Sequence, residues 1–289
     1  MNNAPVTFLF DFDTLDDKTR AYIMNEFAAN GAKHLVLSDT LLRKIVSNFK
    51  FKEMMMNEME AAGLTFKDSH AIFGKYLDLN CPIPEARPEM ILRHKLQLQI
   101  INSMGVDTIT IHLGNENTYP EYTLEQQTDA IKSSLDALLP MAEDLGITIC
   151  IENIWSKINT PENIWKIKES FPTDALGFCY DAGHANLMDK GRFNPDSNPF
   201  HNWKDMEPQW DDKILEKMLP HVVNCHIHDN NGVTDQHLNI GSGNIDWAHI
   251  STLLKQAPRL QVIQSEVIPM RANAAIKDIC NNFRQYFDI

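Results

Sequence analysis

The sequence predicts an α/β fold, a single-domain (β/α)8 or TIM barrel, over its 289 residues. Three observations predict it. Short runs rich in β-branched and aromatic residues alternate with longer amphipathic stretches, which is typical of parallel βαβ units. Eight such runs can be counted, and eight is the number of strands in this barrel. No low-complexity segment or linker divides the chain, so we expect one domain over residues 1–289.

The strand candidates combine an apolar or β-branched body with a polar end. In chain order they are VTFLFDF (6–12), HLVLS (34–38), LTFKDSH (64–70), TITIHLG (108–114), ITICIEN (147–153), LGFCYDAGH (176–184), VVNCHIHD (222–229) and VIQSEVI (262–268). Between them lie helical patterns such as residues 125–145, where apolar residues recur at helical spacing. Residues 191–211 are loop-like and aromatic, and we expect them to be an inserted loop over one end of the barrel.

Composition limits the classes of function. A hydrophobic fraction of 43% is enough for a sizeable core, and a net charge of −13 argues against polyanions such as nucleic acid as partners. The start of the chain has no signal-peptide pattern, and no apolar run approaches the roughly 20 residues that span a membrane. The five cysteines include no CxxC pair and are interpreted as reduced core residues. These features predict a cytoplasmic protein that does not associate with membranes.

Polar residues of the kind that bind metals follow most of the predicted strands. They close strands three to eight and comprise His70, His112, Glu152, Asp181, His184, His226, His228, Asp229 and Glu266. The carboxyl ends of barrel strands converge on one mouth, so residues far apart in sequence become neighbours there. A charged group in such a place is costly unless it is paired or bound to a metal.

Each residue alone also has an ordinary structural explanation. Glu152 could be an ion-pair partner, Asp181 the N-cap of the next helix, and His226 a histidine satisfied within the core. Only one of His226 and His228 is expected to point into the barrel unless the strand is bulged. Ligand-type residues on four consecutive strands nevertheless favour a metal site, because imidazole and carboxylate are the usual ligands of divalent cations.

These motifs give the chain a resemblance to the xylose-isomerase-like barrel superfamily, which includes sugar phosphate isomerases and epimerases and the endonuclease IV group. The motifs are IEN (151–153), DAGH (181–184), HIHD (226–229), DQHLNIGSGNIDW (235–247) and SEV (265–267). The resemblance covers essentially the whole chain. No single motif is specific, and it is the ordered set that carries the resemblance.

The resemblance implies a quartet of residues that holds one divalent ion, which could be Mn²⁺, Zn²⁺, Co²⁺ or Mg²⁺. Carried over by motif, the quartet is Glu152, Asp181, His226 and Glu266. His226 is preferred to His228 because the family pattern is His-x-x-Asp, which Asp229 completes. The two glutamates are also implied to be catalytic, moving protons as well as holding the ion.

A further group matches the positions that supplement this quartet in endonuclease IV, which binds three zinc ions. It comprises His70, His112, His184, Asp235 and His237, and it is a possible second metal site or substrate-binding group. The surrounding sequence departs from the nuclease: ENIWSK and HIHDNN replace its own runs at those places. The SDTLL loop after strand two also has no aromatic or arginine wedge of the kind that extracts a nucleotide from a duplex.

We therefore expect a metal-dependent isomerase or epimerase that transfers a proton next to a carbonyl of a small sugar or polyol derivative. His228, Trp155 and Trp203 are candidate substrate-binding residues, with Phe200 and Trp210 as further aromatic candidates; packing within the core or a lid would explain the aromatic residues equally well. Three alternatives stay open: an AP-endonuclease-like zinc phosphodiesterase, a polyol or inosose dehydratase that uses the same metal, and a non-catalytic barrel that binds a sugar or a metal. The expected partner is a small carbohydrate, and a homo-oligomer is compatible with the sequence.

Overall fold

A computed structural model describes residues 4–189, 194–204 and 206–287. Within this part of the chain, eight parallel strands form a closed barrel in sequence order, which confirms the predicted fold. The strands are β1 (Val6–Phe8), β2 (His34–Leu37), β3 (Thr65–His70), β4 (Thr108–Ile111), β5 (Thr148–Glu152), β6 (Leu176–Asp181), β7 (Val222–Ile227) and β8 (Val262–Ser265). The barrel closes because β1 pairs with both β2 and β8.

The helices pack around this barrel. They are α1 (Asp17–Ala29), α2 (Asp39–Ser47), α3 (Phe49–Ala61), α4 (Arg87–Ser103), α5 (Leu124–Leu145), α6 (Pro161–Glu169), α7 (Ala182–Leu187), α8 (Asn198–Trp203), α9 (Ile214–Met218), α10 (Trp247–Leu254), α11 (Pro269–Ala272) and α12 (Ile276–Tyr286). The pattern at 125–145 corresponds to α5, which begins with a capping box formed by Thr123 and Gln126. It ends at Gly146, whose φ of 66° is the left-handed conformation that glycine adopts most easily.

The sixth strand is shorter than predicted. The sequence predicts a strand over 176–184, but β6 ends at Asp181 and α7 begins at Ala182. The Asp181 carboxylate accepts a hydrogen bond of 2.6 Å from the backbone N–H of His184, which makes Asp181 the N-cap of α7. His184 therefore lies in the first turn of a helix and not at the end of a strand.

The predicted insertion at 191–211 contains a short helix, α8, which Ser197 caps at its N-terminus. Residues 191–193 and 205 of this segment lie outside the described residues. The Trp203 indole N–H donates to the Trp155 carbonyl over 2.8 Å, and Asn117 donates to the Asn202 carbonyl over 2.8 Å. The described part of the segment thus lies against the loops that follow β4 and β5. That the segment is an insertion stays a prediction.

A continuous apolar core fills the space between the barrel and the helices. All five cysteines lie in the described part of the chain, are buried and form no disulfide. Among the residues described, no helix has both the length and the apolar character that crossing a bilayer requires.

Candidate functional site

The three carboxylates of the proposed quartet meet at one ring nitrogen of its fourth member, His226. His226 Nδ1 lies 3.0 Å from Glu152 Oε1, 3.2 Å from Glu266 Oε1 and 3.7 Å from Asp181 Oδ2. These residues come from β7, from β5, from the residue after β8 and from the end of β6. All four are at least nine-tenths buried. The barrel therefore brings three carboxylates and one imidazole together at its carboxyl-terminal mouth.

A cavity of about 450 Å³ opens above this cluster. Glu152 and Glu266 line it from two sides, whereas Asp181 and His226 do not line it. Its volume is within the range of small-molecule sites. The two glutamates therefore face the space that a ligand would occupy, and the other two members of the quartet lie beneath them.

The charges of the cluster depend on one another. Burial lowers the pKa of His226, but Cys179 and the carboxylates of Glu266 and Glu152 outweigh burial and raise that pKa well above its usual value. Burial raises the pKa of Glu152, but His226, with His112 and His184, holds it well below its usual value. The buried Glu152 carboxylate is thus ionised because positive charge lies around it, and a divalent cation would also supply such charge.

A second group of ligand-type residues adjoins the quartet and is centred on Asp235. Asp235 Oδ2 lies 3.0 Å from His237 Nε2 and 3.6 Å from His184 Nε2, and Asp235 Oδ1 lies 3.7 Å from His228 Nε2. Burial lowers the pKa of His237, but Asp235 outweighs burial and raises it to about 9. The structure therefore brings His184, Asp235 and His237 together beside the quartet, as the resemblance implied, and adds His228 to them.

The position of His228 corrects one expectation. We expected only one of His226 and His228 to point into the barrel without a bulge, and this was wrong. Successive side chains of a strand alternate in direction, so residues two apart share a face. His228 Nε2 lies 3.3 Å from Asp181 Oδ2, and its ring stacks on that of His237 with a centroid separation of 4.0 Å.

His70 and His112 occupy the opposite side of the cavity, which both residues line. His112 Nε2 lies 3.1 Å from Glu152 Oε2, and the rings of the two histidines are 4.8 Å apart. The His70 Nδ1–H donates to the Ala71 carbonyl over 2.9 Å, which leaves Nε2 as the free ring nitrogen. Burial, with His112 and His226, lowers the pKa of His70 to about 3, so this ring is neutral and can accept a hydrogen bond or bind a metal.

The aromatic candidates take different positions. Trp155 lines the cavity, and its ring contacts that of His184 edge to face at 4.8 Å. Trp203 is buried behind it and holds the Trp155 carbonyl, while Phe200 and Trp210 do not line the cavity. Of these four residues, only Trp155 is placed to touch a ligand in this cavity.

The donor set fits a divalent metal ion. Among the described residues, five groups of at least three His, Cys, Asp or Glu residues have ligand atoms within 4.8 Å of one another, and these groups share members around the cavity floor. Asp235 Oδ1 and His228 Nδ1 are buried without a hydrogen-bond partner, although buried polar groups almost always have one. Imidazole and carboxylate ligands suit Zn²⁺ and, with more oxygen, Mn²⁺ or Mg²⁺.

Several residues that position the ligands do not stand out in the sequence. The Asn153 side chain bonds to both the N–H and the C=O of Asp181, and the backbone carbonyl of Asn153 accepts from His184 Nδ1–H. The Gln264 amide donates to Glu266 Oε1 over 2.9 Å. Gln264 lies two residues before Glu266, so it could be found by asking which polar side chains share a strand face with Glu266, whereas Asn153 directly follows Glu152 in the IEN motif and the alternation of side chains does not point to it.

A sequence model described as "Xylose isomerase-like TIM barrel" matches residues 34–276. An uncharacterized protein of Methanocaldococcus jannaschii is 30% identical over 161 residues, which are 54% of this chain. The alignment covers 48% of that relative, so the chain spans about half the length of this relative.

Solved structures share the fold. A D-tagatose 3-epimerase-like protein superimposes with a TM-score of 0.73 at 20% identity, over 96% of this chain and 97% of that one. The IOLI protein, solved with a zinc atom, superimposes with a TM-score of 0.69 at 15% identity, over 99% of this chain and 100% of that one. At such identities the similarity shows the barrel fold.

Proposed function

The chain belongs to the xylose isomerase-like TIM barrel family, and from this premise we propose that it is a metal-dependent isomerase or epimerase of a small, uncharged sugar or polyol derivative. The observation that supports the proposal most is the position of the two glutamates. Glu152 and Glu266 line one cavity from β5 and from the end of β8, with Asp181 and His226 beneath them.

In the proposed mechanism, these glutamates act on a C–H bond next to a substrate carbonyl. One glutamate, as the carboxylate, removes the proton and becomes the carboxylic acid. The other glutamate, in its protonated form, delivers a proton to the opposite face of the same carbon or to the neighbouring carbon, and becomes the carboxylate. His112 and Gln264 each contact an oxygen of one glutamate, which fixes the direction from which each carboxylate approaches. Glu152, Asp181, His226 and Glu266 would hold a divalent cation, which would supply Lewis-acid polarisation of the carbonyl.

The lining of the cavity supports an uncharged substrate. Among the described residues that line it, none is Lys or Arg, whereas Asp11, Asp39, Asp78 and Asp235 are present beside the two glutamates. A phosphate group would add charge to a site that is already negative and would have no guanidinium or ammonium to bind. Trp155 offers an apolar surface on which the carbon face of a sugar can pack.

The decisive experiment measures proton transfer itself. A panel of ketoses, inososes and related polyol ketones, with and without phosphate, is incubated in D₂O with Mn²⁺, Co²⁺, Mg²⁺ or Zn²⁺. We expect metal-dependent deuterium incorporation next to the carbonyl of an unphosphorylated substrate, and its loss by at least 100-fold in Glu152→Gln and in Glu266→Gln, because each lacks one base. Glu169→Gln, an exposed residue of α6, is the matched control and should react as the wild type does. Turnover of a substrate at the wild-type rate by both Glu152→Gln and Glu266→Gln would contradict the proposed mechanism.

A second candidate is a phosphodiesterase that uses two or three zinc ions, and the extent of the ligand cluster favours it. His70, His112, Asp235 and His237 extend the quartet on both sides. Metal counting by mass spectrometry tests whether this additional group binds a metal or contributes to substrate binding. We expect more than one zinc per fully loaded chain, and one fewer in His237→Ala. A single equivalent that the variant leaves unchanged would assign this group to substrate binding.

A further inference from the structure

A buried polar network lies beneath the candidate metal centre, inside the barrel. It consists of Asp68 on β3, Thr108 and Thr110 on β4, and Asn224 and His226 on β7, all fully buried. The Asn224 amide donates to both Asp68 carboxylate oxygens over 3.1 Å and to Thr110 Oγ1 over 3.1 Å. Thr110 Oγ1 in turn lies 3.3 Å from His226 Nε2. The network therefore joins a buried carboxylate to the ring nitrogen that faces away from the quartet.

Asp68 is unusual because its carboxyl group is fully buried, and burial raises its pKa to about 6, so that it is ionised at neutral pH. Within the described residues, no Lys, Arg or His forms an ion pair with it, and Thr108 Oγ1 supplies its other hydrogen bond over 2.9 Å. Burying such a group is costly, and an apolar or amide side chain would fill the barrel at a lower cost. A carboxylate differs from these in accepting hydrogen bonds only, and this property fixes the direction of the groups around it.

Asp68 fixes the orientation of the Asn224 amide, which in turn contacts Thr110. Because Asp68 only accepts, Asn224 must turn its NH₂ group toward it, and the same NH₂ donates to Thr110 Oγ1. The Thr110 hydroxyl can donate to His226 Nε2 or accept from Nε2–H, and it must accept when a cation occupies Nδ1, because the ring proton is then on Nε2. A proton on Nε2 leaves Nδ1, the atom that faces the three carboxylates, with its lone pair available for a cation.

We propose that Asp68 is a positioning residue that acts through Asn224 and Thr110 to hold His226 in the ring orientation and tautomer that bind a metal through Nδ1. The inference rests on the metal site of the proposed function. It gives a functional reason for a buried carboxylate that touches neither the cavity nor the quartet.

The test compares two isosteric threonine variants. Thr110→Val removes the acceptor of the His226 proton and keeps the volume of the side chain. Thr7→Val is the matched control, since Thr7 is also fully buried in a barrel strand and its hydroxyl has no hydrogen-bond partner. Thr110→Ser restores the hydroxyl and should retain wild-type affinity, and Asp68→Asn interrupts the network at its far end.

The first readout is the affinity for Zn²⁺, measured by competition with a fluorescent chelator. We expect Thr110→Val and Asp68→Asn to weaken it about 10- to 100-fold, which is the usual effect of losing a partner behind a metal-binding histidine. The double variant should be no weaker than Thr110→Val alone, because both changes break one chain of hydrogen bonds. Thr7→Val should bind as the wild type does.

The second readout is the His226 Nε2–H signal of the zinc-loaded protein labelled with ¹⁵N-histidine, assigned with a His226→Gln variant. In the wild type it should exchange slowly with water, and in Thr110→Val it should be lost or exchange fast. A purely structural threonine would lower the melting temperature and leave this signal and the affinity unchanged.

The outcomes separate the two proposals. If the wild-type protein binds none of the four cations, the metal-dependent function fails. If the wild type binds Zn²⁺ and both Thr110→Val and Asp68→Asn bind it equally well, the positioning role alone is overturned.

Discussion

Gly183 lies where a larger residue does not fit. A β-carbon built on it would overlap the imidazole ring of His228, so the DAGH motif needs glycine for space. The same short stretch supplies Asp181, which both joins the quartet and caps α7. One turn of chain thus provides a member of the proposed quartet, a helix start and room for a histidine from the next strand.

Gly183→Ala should therefore act through His228. The added methyl group must displace the ring from Asp181 and from His237, and we expect a loss of about 1–3 kcal/mol in the free energy of unfolding, as for other overpacked sites. Urea denaturation measures it. In a His228→Ala background the same glycine change should cost much less, because the ring it meets is gone. Equal losses in both backgrounds would assign the cost to the backbone of α7.

At this scale the sequence predicted which residues meet but not how they are held. The His, Asp and Glu residues at the strand ends can be recognised in the sequence because charged residues are rare directly after apolar runs. Thr110 and Asn224 are not visible in that way, since threonine is an ordinary strand residue and one asparagine within a strand carries no signal of its direction. The expectation that His226 and His228 cannot both point into the barrel was wrong because residues two apart on a strand share a face.

α4 is tied to the loop that follows β3 by a buried histidine. His94 Nε2–H donates to the Leu77 carbonyl over 2.7 Å, and its Nδ1 faces Gln97 Nε2 at 3.4 Å. Burial lowers the pKa of His94. A proton on Nδ1 would face another N–H group, so the folded protein keeps this ring neutral. The contact helps to fix the loop that carries Phe73 and Asp78 to the cavity.

His94 should make the protein sensitive to acid. Its folded pKa lies below its unfolded value of about 6.5, so the stability it contributes is present above that pH and is lost as the pH falls toward the folded pKa. We expect His94→Gln to lose less unfolding free energy than the wild type between pH 7.5 and pH 5, by up to about 1.4 kcal/mol for each unit of pKa difference. His249→Gln, at an exposed position on α10, is the control. Parallel curves for wild type and His94→Gln would contradict the expectation.

The presence of a helix or strand was easier to predict than the residue at which it ends. The helix at 125–145 was found almost in full, because its apolar period and its terminal glycine agree. β6 was predicted three residues too long, since the sequence DAGH continues a strand-like run and the cap that starts α7 depends on the Asp181 side chain. α8 was missed because its few residues are too short for a helical period.

The whole molecule is acidic, with a net charge of −13, and the cavity is lined by carboxylates. DNA binding depends chiefly on neutralising phosphates with Lys and Arg. We expect no tight binding of duplex DNA with an abasic site at physiological salt, measured by fluorescence anisotropy. Endonuclease IV is the positive control. Metal-dependent nicking of such DNA that Glu152→Gln abolishes would reverse the ranking of the two candidate functions.

The pairing of β1 with β8 means that the barrel closes between its first and last strands. Three members of the quartet precede β8, and the fourth, Glu266, follows it directly. During synthesis on the ribosome the first seven strands emerge before the last. For a time the nascent chain therefore contains Glu152, Asp181 and His226 but not Glu266. Contacts this distant in sequence are entropically costly and form slowly. The docking of β8 against β1 therefore closes the barrel and brings the fourth member of the proposed quartet to the other three.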